Sequence, residues 1–471
     1  MGDKTMTSTT MSTINQRVEA LREVMRREHL SAFIFPSTDP HNSEYVPDRW
    51  KGREWISGFN GSAGTAVVTL HSAALWTDSR YFLAAEQQLA GTGFQLMKLK
   101  IAGTPTIAEW LGQELKEEQS PEVGLDGMCN SLSCVESLIS DLRQQGGITV
   151  RTNFDPLDQI WNNRPDIPDN PVEIQPLEYA GETAASKLTR IRQSLRLQHA
   201  DGMLVSALDN IAWALNLRGT DVHCNPVFVA YLLISTTKAT LYIHAEKLND
   251  KICDYLKGQG VDTAPYEEVG KGLADYPDYN ILIDPDETCY TLAHRIRTQE
   301  MIRQASPIPA LQAVKNEAEI KGYHAAMIRD GIALVKFLHW LKPAVEAGGQ
   351  TEMSIDRKLT ELRSQQPLFR DISFDTIAGY AAHGAIVHYE ATPESDIPLE
   401  PHGLLLLDSG AQYQDGTTDI TRTIALGPTT DEEKRVYTLV LKGHIQLELA
   451  KFPDGASGTQ IDALAREAMW R

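Results

Sequence analysis

The sequence has 471 residues, 42% hydrophobic and 23% charged, a globular composition that suggests about three domains. Its formal net charge of −19 argues against a nucleic-acid groove or an anionic membrane as the main partner. The polar segment from Met1 to Asn15 lacks the apolar stretch of a signal peptide, and no run is long enough to span a bilayer. The five scattered cysteines form no CxxC pair and have no His-rich metal spacing. We therefore expect a cytoplasmic protein with reduced thiols that binds neither nucleic acid nor a membrane.

An internal repeat occupies the amino-terminal part of the chain. A helical pattern ends near His29 and is followed by an apolar, strand-like run, and the same scheme returns around His199. Trp55 and Trp213 then follow in the similar segments WISGFNG and WALNLRG, each before further β-rich runs. The repeat predicts two related α/β domains in tandem. We interpret both histidines as helix-terminal residues that interact with the helix dipole, and both tryptophans as packing residues.

Two proline-rich stretches, 164–176 and 306–309, divide the chain. They predict domains over residues 1–160, 161–308 and 309–471. The third domain opens with a long amphipathic helix, for which the sequence predicts a buried stripe formed by Ala325, Ile328, Ile332, Val335 and Leu338.

Two aspartates in the third domain suggest a metal site. Asp408 ends an apolar strand of four leucines, and Asp419 lies eleven residues later, beyond the turn signal around Asp415. If the two strands pair as a hairpin, the aspartates lie roughly opposite each other, with Cβ atoms about 4.5–5.5 Å apart. Bare carboxylates at that distance repel each other, and a divalent cation between them removes the repulsion. Aspartate is also common in turns, and we interpret Asp415 as a turn residue only.

Two neighbouring features favour the metal interpretation. Threonines around Asp419 offer hydroxyl groups that could support metal ligands. Upstream, the segment AIVHY places His388 on another predicted strand.

Long strings of this sequence resemble a known family. LLLLDSGAQYQDGTTDITRT, GAIVHYEATPES and GREWISGFNGSAGTAVVT are similar to the three-domain Xaa-Pro aminopeptidases (aminopeptidase P). These belong to the pita-bread metallopeptidases, together with creatinase, prolidase and methionine aminopeptidase. The resemblance implies an α/β chain of two creatinase-like domains, followed by a pita-bread α+β catalytic domain that is incomplete here.

The resemblance also implies a reaction and its residues. Asp408 and Asp419 would be ligands of a two-metal centre, usually manganese, which hard carboxylate ligands suit, and Asp419 would bridge both ions. His388 would contact the substrate and help to stabilise the tetrahedral intermediate. A hydroxide shared by the metals would hydrolyse the bond between an N-terminal residue and a following proline. The partners would be peptides with proline in the second position, and the protein would be a homodimer.

One departure from the family pattern leads to a further expectation. The family has three more ligands, one His and two Glu, and its HGxGHxxG-like motif does not occur in these 471 residues. We therefore expect the sequence to be truncated at its C-terminus, and this chain to hydrolyse such peptides little or not at all.

Two alternative functions remain open at this stage. One is a prolidase-like dipeptidase, against which the paired amino-terminal domains argue. The other is a non-catalytic pita-bread scaffold protein, against which the presence of Asp408, Asp419 and His388 argues.

Overall fold

The computed structural model describes residues 8–297 and 300–471. The first seven residues of the polar amino-terminal segment, and of the predicted first domain, lie outside the described residues. Among the helices of the described ranges, none is long and apolar enough to cross a membrane.

The first unit (residues 8–160) is built on one mixed sheet. Its helices are α1 (Ser8–Arg27), α2 (Gly52–Ser57), α3 (Phe82–Gln88), α4 (Ile107–Glu114), α5 (Leu132–Gln144) and α6 (Leu157–Ile160). Its strands are β1 (Ala32–Phe35), β2 (Thr65–Thr69), β3 (Ala73–Thr77), β4 (Phe94–Lys98), β5 (Glu122–Leu125) and β6 (Thr149–Arg151). The six strands lie in the order β4-β3-β2-β1-β5-β6, with β1 antiparallel to β2 and parallel to β5.

The second unit (residues 173–303) repeats this plan. Its helices are α7 (Leu177–Ala180), α8 (Ala184–Leu197), α9 (Leu208–Leu215), α10 (Asp250–Gly258), α11 (Val269–Ala274) and α12 (Tyr290–Ala293). Its strands are β7 (Glu173–Ile174), β8 (Gly202–Val205), β9 (Leu217–Arg218), β10 (Tyr231–Ile234), β11 (Ala239–Tyr242), β12 (Asp262–Ala264), β13 (Asn280–Ile283) and β14 (Glu300–Arg303).

The main sheet of the second unit has the order β12-β11-β10-β8-β13-β14, and β8 is antiparallel to β10 and parallel to β13. Strand β8 thus takes the place that β1 has in the first unit, with the same neighbours in the same directions. The predicted repeat is confirmed by this topology, while the exact domain limits stay a prediction.

Equivalent side chains reinforce the repeat. The Arg17 guanidinium lies 4.7 Å from the centroid of the Trp55 ring, and its Nη1 donates to the Trp55 carbonyl oxygen at 2.7 Å. Lys187 Nζ lies 4.4 Å from the centroid of the Trp213 ring and donates to the Trp213 carbonyl oxygen at 3.0 Å. In each unit, a cation from the helix before the central strand, α1 or α8, therefore satisfies a carbonyl near the end of the next helix, where the dipole favours positive charge.

The two histidines of the repeat also occupy matching places. His29 follows α1 and His199 follows α8, and both have left-handed backbones, with φ of 56° and 60°. A left-handed residue is a common way to end a helix, because it redirects the chain. Their interpretation as helix-terminal residues is confirmed.

The third unit (residues 308–470) carries two small sheets under a long helix. Its helices are α13 (Ile308–Ala313), α14 (Glu317–Ala347), α15 (Glu352–Ser364), α16 (Asp431–Glu448) and α17 (Gly458–Trp470). Its strands are β15 (Phe369–Ile372), β16 (Ile377–Tyr380), β17 (Leu404–Ser409), β18 (Ala411–Tyr413), β19 (Gly416–Thr417) and β20 (Ile420–Ala425). One sheet has the order β15-β18-β19 and the other the order β16-β17-β20.

The predicted buried stripe of α14 is wrong for its three β-branched residues. Ile328, Ile332 and Val335 are 66%, 45% and 67% exposed. The helix instead turns a face with small residues inwards: a Cβ at Gly322 would lie 2.2 Å from the carbonyl oxygen of Asp415. The backbones of α14 and of the turn at Asp415 approach closely at Gly322, and this contact helps to determine which face of the helix is buried. The periodicity of apolar residues alone does not indicate that face.

A buried ion pair fixes α14 on the rest of the unit. Arg363 of α15 donates to Asp330 of α14 through Nε at 2.8 Å and through Nη2 at 3.0 Å, and both side chains are fully buried. The Tyr413 hydroxyl of β18 donates to the same carboxylate at 3.1 Å. The pair therefore connects two helices with the sheet beside the candidate site.

We predict that Asp330→Ala lowers the free energy of unfolding by about 3–5 kcal/mol, because Arg363 is left buried without a counter-charge. Urea denaturation followed by circular dichroism measures the change. The control is Lys358→Ala, which removes a partly exposed pair with Glu361 and should cost less than about 1 kcal/mol. Equal losses in both variants would contradict the prediction.

Candidate metal centre

The candidate site lies where the sheet of β16, β17 and β20 ends. Asp408, near the end of β17, is paired with Thr421 of β20, and Asp419 directly precedes β20. The two aspartates are therefore only roughly opposite, as predicted, with an offset of two residues from direct pairing. Because strand side chains alternate between faces, positions two apart share a face, so both carboxylates are on the same side.

The shift arises because the chain between the aspartates is not a plain hairpin. It leaves the β17–β20 sheet to form β18 and β19, which pair with each other beside β15. Gly410 permits this change of sheet, since a Cβ there would lie 2.0 Å from the carbonyl oxygen of Thr418.

The electrostatics of the pair favour a bound cation. Burial raises the pKa of Asp419, and the nearby charge of Asp408 and a hydrogen bond with it raise the pKa further. Oδ1 of Asp408 is buried and has no hydrogen-bond partner. A buried, unsatisfied carboxylate oxygen beside a second carboxylate is unfavourable without a counter-charge. The donor set therefore fits a hard divalent cation, which Asp408 and Asp419 would hold.

Asp415 lies at the turn between β18 and β19, as the sequence predicts. Its side chain is only 6% exposed, however, and forms an ion pair with Arg329 of α14. The role of Asp415 is thus to hold the turn against the long helix.

The predicted strand around His388 is wrong. A short 3-10 helix over Ala381–Ala385 leads into a turn, in which His388 has a φ of 56°. Its Nδ1 lies 2.7 Å from the hydroxyl oxygen of Tyr81, which is also 2.7 Å from Oγ of Ser62. The structure therefore brings Asp408 and Asp419 together and attaches His388 to the first unit.

A buried carboxylate that sequence reasoning missed explains this turn. Glu352 of α15 is fully buried and accepts hydrogen bonds from the Tyr380 amide at 2.8 Å and the Tyr389 hydroxyl at 2.9 Å. Nδ1 of His383 lies 3.0 Å from both oxygens of the same carboxylate. Because both ends of the segment are held by one group, the segment folds back and cannot extend as a strand. In the sequence, Glu352 is marked only by its place in the segment TEMS, which is typical of the N-terminus of a helix.

We predict that manganese stabilises the protein through the aspartate pair. At about 100 times the dissociation constant, binding to the folded state adds about 2.7 kcal/mol, and Asp419→Asn should lose most of this gain. Without metal, the variant should be at least as stable as the parent, because a like charge has been removed. Thermal melts with and without manganese measure both effects.

The matched control is Asp462→Asn, an exposed aspartate of α17 that is paired with Arg466. It should keep the full response to manganese. If Asp419→Asn also kept it, the assignment of the metal to this pair would be wrong.

Comparison with known proteins gives a consistent result for the whole chain. Residues 17–158 and 163–319 match models of the creatinase/prolidase N-terminal domain, and residues 321–471 match the model of metallopeptidase family M24.

Individual relatives agree with these matches. The chain is 39% identical to Xaa-Pro aminopeptidase 1 of Dictyostelium discoideum, with 97% of this chain and 74% of that protein aligned. It is 34% identical to aminopeptidase P1 of Arabidopsis thaliana, over 97% of this chain and 78% of that protein. A crystal structure of X-prolyl aminopeptidase from Caenorhabditis elegans, described as a cytosolic enzyme with a di-nuclear active site, matches with a TM-score of 0.91. That match has 32% identity and covers 97% of this chain and 77% of the other.

Proposed function

Because the chain belongs to the Xaa-Pro aminopeptidases of metallopeptidase family M24, we propose that it hydrolyses the bond between an N-terminal residue and a following proline. The observation that carries the proposal is the close pair of the Asp408 and Asp419 carboxylates, in which one oxygen of Asp408 is buried without a hydrogen-bond partner. The pair lies in a chain that matches, over 97% of its length, a peptidase described as having a di-nuclear active site.

The metals of the proposed enzyme are two divalent cations, and we propose manganese because the ligands are hard oxygens. Asp408 and Asp419 would hold them. When bound, such a pair of cations polarises a carbonyl and supplies hydroxide at neutral pH.

His388 is proposed to contact the substrate. Tyr81 engages Nδ1 of its imidazole, which leaves Nε2 as the nitrogen that can face the peptide. Tyr81 is in turn positioned by Ser62, so the first unit determines the orientation of a group that acts in the third unit. Hydrogen bonds of this kind fix a histidine ring before substrate arrives.

The chemistry of proline explains why a dedicated exopeptidase for such bonds is useful. A bond to proline is a tertiary amide without an N–H, so a peptidase that binds its substrate through backbone donors loses one there. A site that recognises the free N-terminus and the proline ring does not need that donor. The tandem amino-terminal units and the names of the relatives favour this function over a dipeptidase or a scaffold.

The proposed assembly is a homodimer in the cytoplasm. The exposed branched residues of α14 form an apolar surface that would suit an interface between copies. Sedimentation equilibrium at several concentrations should give twice the mass of the chain, and a monomer throughout would contradict this proposal.

We predict that peptides with proline in the second position lose their first residue, whereas the same peptides with alanine there are cleaved much more slowly. Asp419→Asn should abolish turnover, and His388→Ala should reduce it by about 100-fold or more while metal content stays near normal. The assay follows release of the first residue by the native protein, isolated with an antibody to this chain. The variants are expressed in the cells from which the native protein is isolated.

Metal content is measured on the same samples. Loss of metal in His388→Ala would show that this histidine is a ligand, and equal cleavage of proline and alanine peptides would contradict the proposed specificity. The comparisons give no support to the expectation of little activity, because 97% of the chain aligns with Xaa-Pro aminopeptidases. The same assay on the 471-residue chain tests that expectation.

A further inference from the structure

A second group of metal-binding side chains lies where the second and third units meet. His223 and Cys224 belong to the loop between β9 and β10, and Asp375 belongs to the loop between β15 and β16. Among the described residues, one ligand atom of each lies within 4.8 Å of the others. Nε2 of His223 is 2.8 Å from Oδ1 of Asp375. These residues are not among those proposed above to hold the metals or to contact the substrate.

The backbone around Cys224 is held in place. Its side chain is only 8% exposed, and its φ of 61° lies in the left-handed region, which is uncommon for residues other than glycine. Its carbonyl oxygen accepts a hydrogen bond from Nε2 of the buried Gln412 at 3.0 Å. The Thr417 hydroxyl donates a hydrogen bond to Oε1 of Gln412 at 2.6 Å. The thiol position is therefore fixed by contacts with the third unit.

The surroundings of the thiol are negative. Burial raises the pKa of Cys224 to about 12, and the charges of Asp375, Asp371 and Glu390 contribute in the same direction. A thiol of this kind is not a nucleophile at neutral pH, which argues against a cysteine–histidine catalytic pair. A cation at this position would be attracted by all of these carboxylates.

We propose that His223, Cys224 and Asp375 bind one zinc ion, which connects the second unit to the third. Imidazole, thiolate and carboxylate are the ligands that zinc uses, and three of them leave one tetrahedral position for water. Binding replaces the hydrogen bond between His223 and Asp375 and releases the thiol proton to solvent. The thiolate distinguishes this site from the aspartate pair, which offers only oxygen.

The test uses cobalt(II) as a spectroscopic substitute for zinc in the 471-residue chain. A thiolate bound to cobalt gives a charge-transfer absorption in the near ultraviolet, and cobalt at Asp408 and Asp419 cannot give it. We expect this absorption to saturate at one cobalt per chain and to disappear when zinc is added. It should be absent from Cys224→Ser.

His223→Gln and Asp375→Asn alter exposed or half-exposed side chains and should fold normally. Each should weaken cobalt binding by about tenfold or more. The matched controls are Cys134→Ser and Cys253→Ser, which change exposed cysteines and should leave the absorption intact. Zinc at concentrations too low to fill the aspartate pair should also raise the melting temperature of the parent and of both controls, but not that of Cys224→Ser.

Absence of the thiolate absorption from the parent chain would overturn the proposal. The proposal would also be wrong if the absorption were lost in a control variant but kept in Cys224→Ser. Unchanged cobalt affinity in both His223→Gln and Asp375→Asn would contradict it as well.

Discussion

The third unit is organised around the need to hold two carboxylates close together. Asp408 and Asp419 repel each other, and partial burial weakens the screening of this repulsion by water. Strand β17 nevertheless holds Asp408 in place, because Leu405 and Leu407 are buried against α14 and α15. The buried ion pair of Asp330 and Arg363 secures those helices. Packing energy thus offsets a local repulsion that a bound cation would relieve, as expected of a site built for metal.

The other two units reach this site through polar contacts. Tyr81 of the first unit bonds to His388, and Gln175, next to β7 of the second unit, donates to the carbonyl oxygen of Gln414 at 2.7 Å. Gln412 makes the contact with the loop of Cys224. Such directional bonds fix orientation more than they add stability, because each replaces bonds to water. The amino-terminal units therefore contact the segments that carry the proposed site residues.

The sequence was sufficient to predict the repeat and the aspartate pair, but not the contacts that surround them. The repeat could be recognised because helix and strand periodicity are local, and the pair because Asp408 follows an apolar run that has to be a buried strand. The exposed Ile328 was missed because close approach at Gly322 decides which face of α14 is buried. The turn at His388 depends on Glu352, which lies on α15 and is remote in sequence. No sequence pattern near the histidine therefore reveals the turn. Asp375 is likewise remote in sequence from Cys224, and only folding brings the two together.

Two groups of acidic residues are proposed here to bind cations, and the donor atoms of each group determine which cation it would select. At Asp408 and Asp419 all donors are carboxylate oxygens, which bind manganese well but also accept zinc, since most sites bind zinc more tightly than manganese. At the group of Cys224 a thiolate and an imidazole add a strong preference for zinc. A site of this second kind on the same chain would bind zinc at concentrations too low to fill the aspartate pair. The two proposed sites would therefore hold different metals simultaneously. Both groups attract cations, but only the group of Cys224 offers a soft thiolate ligand.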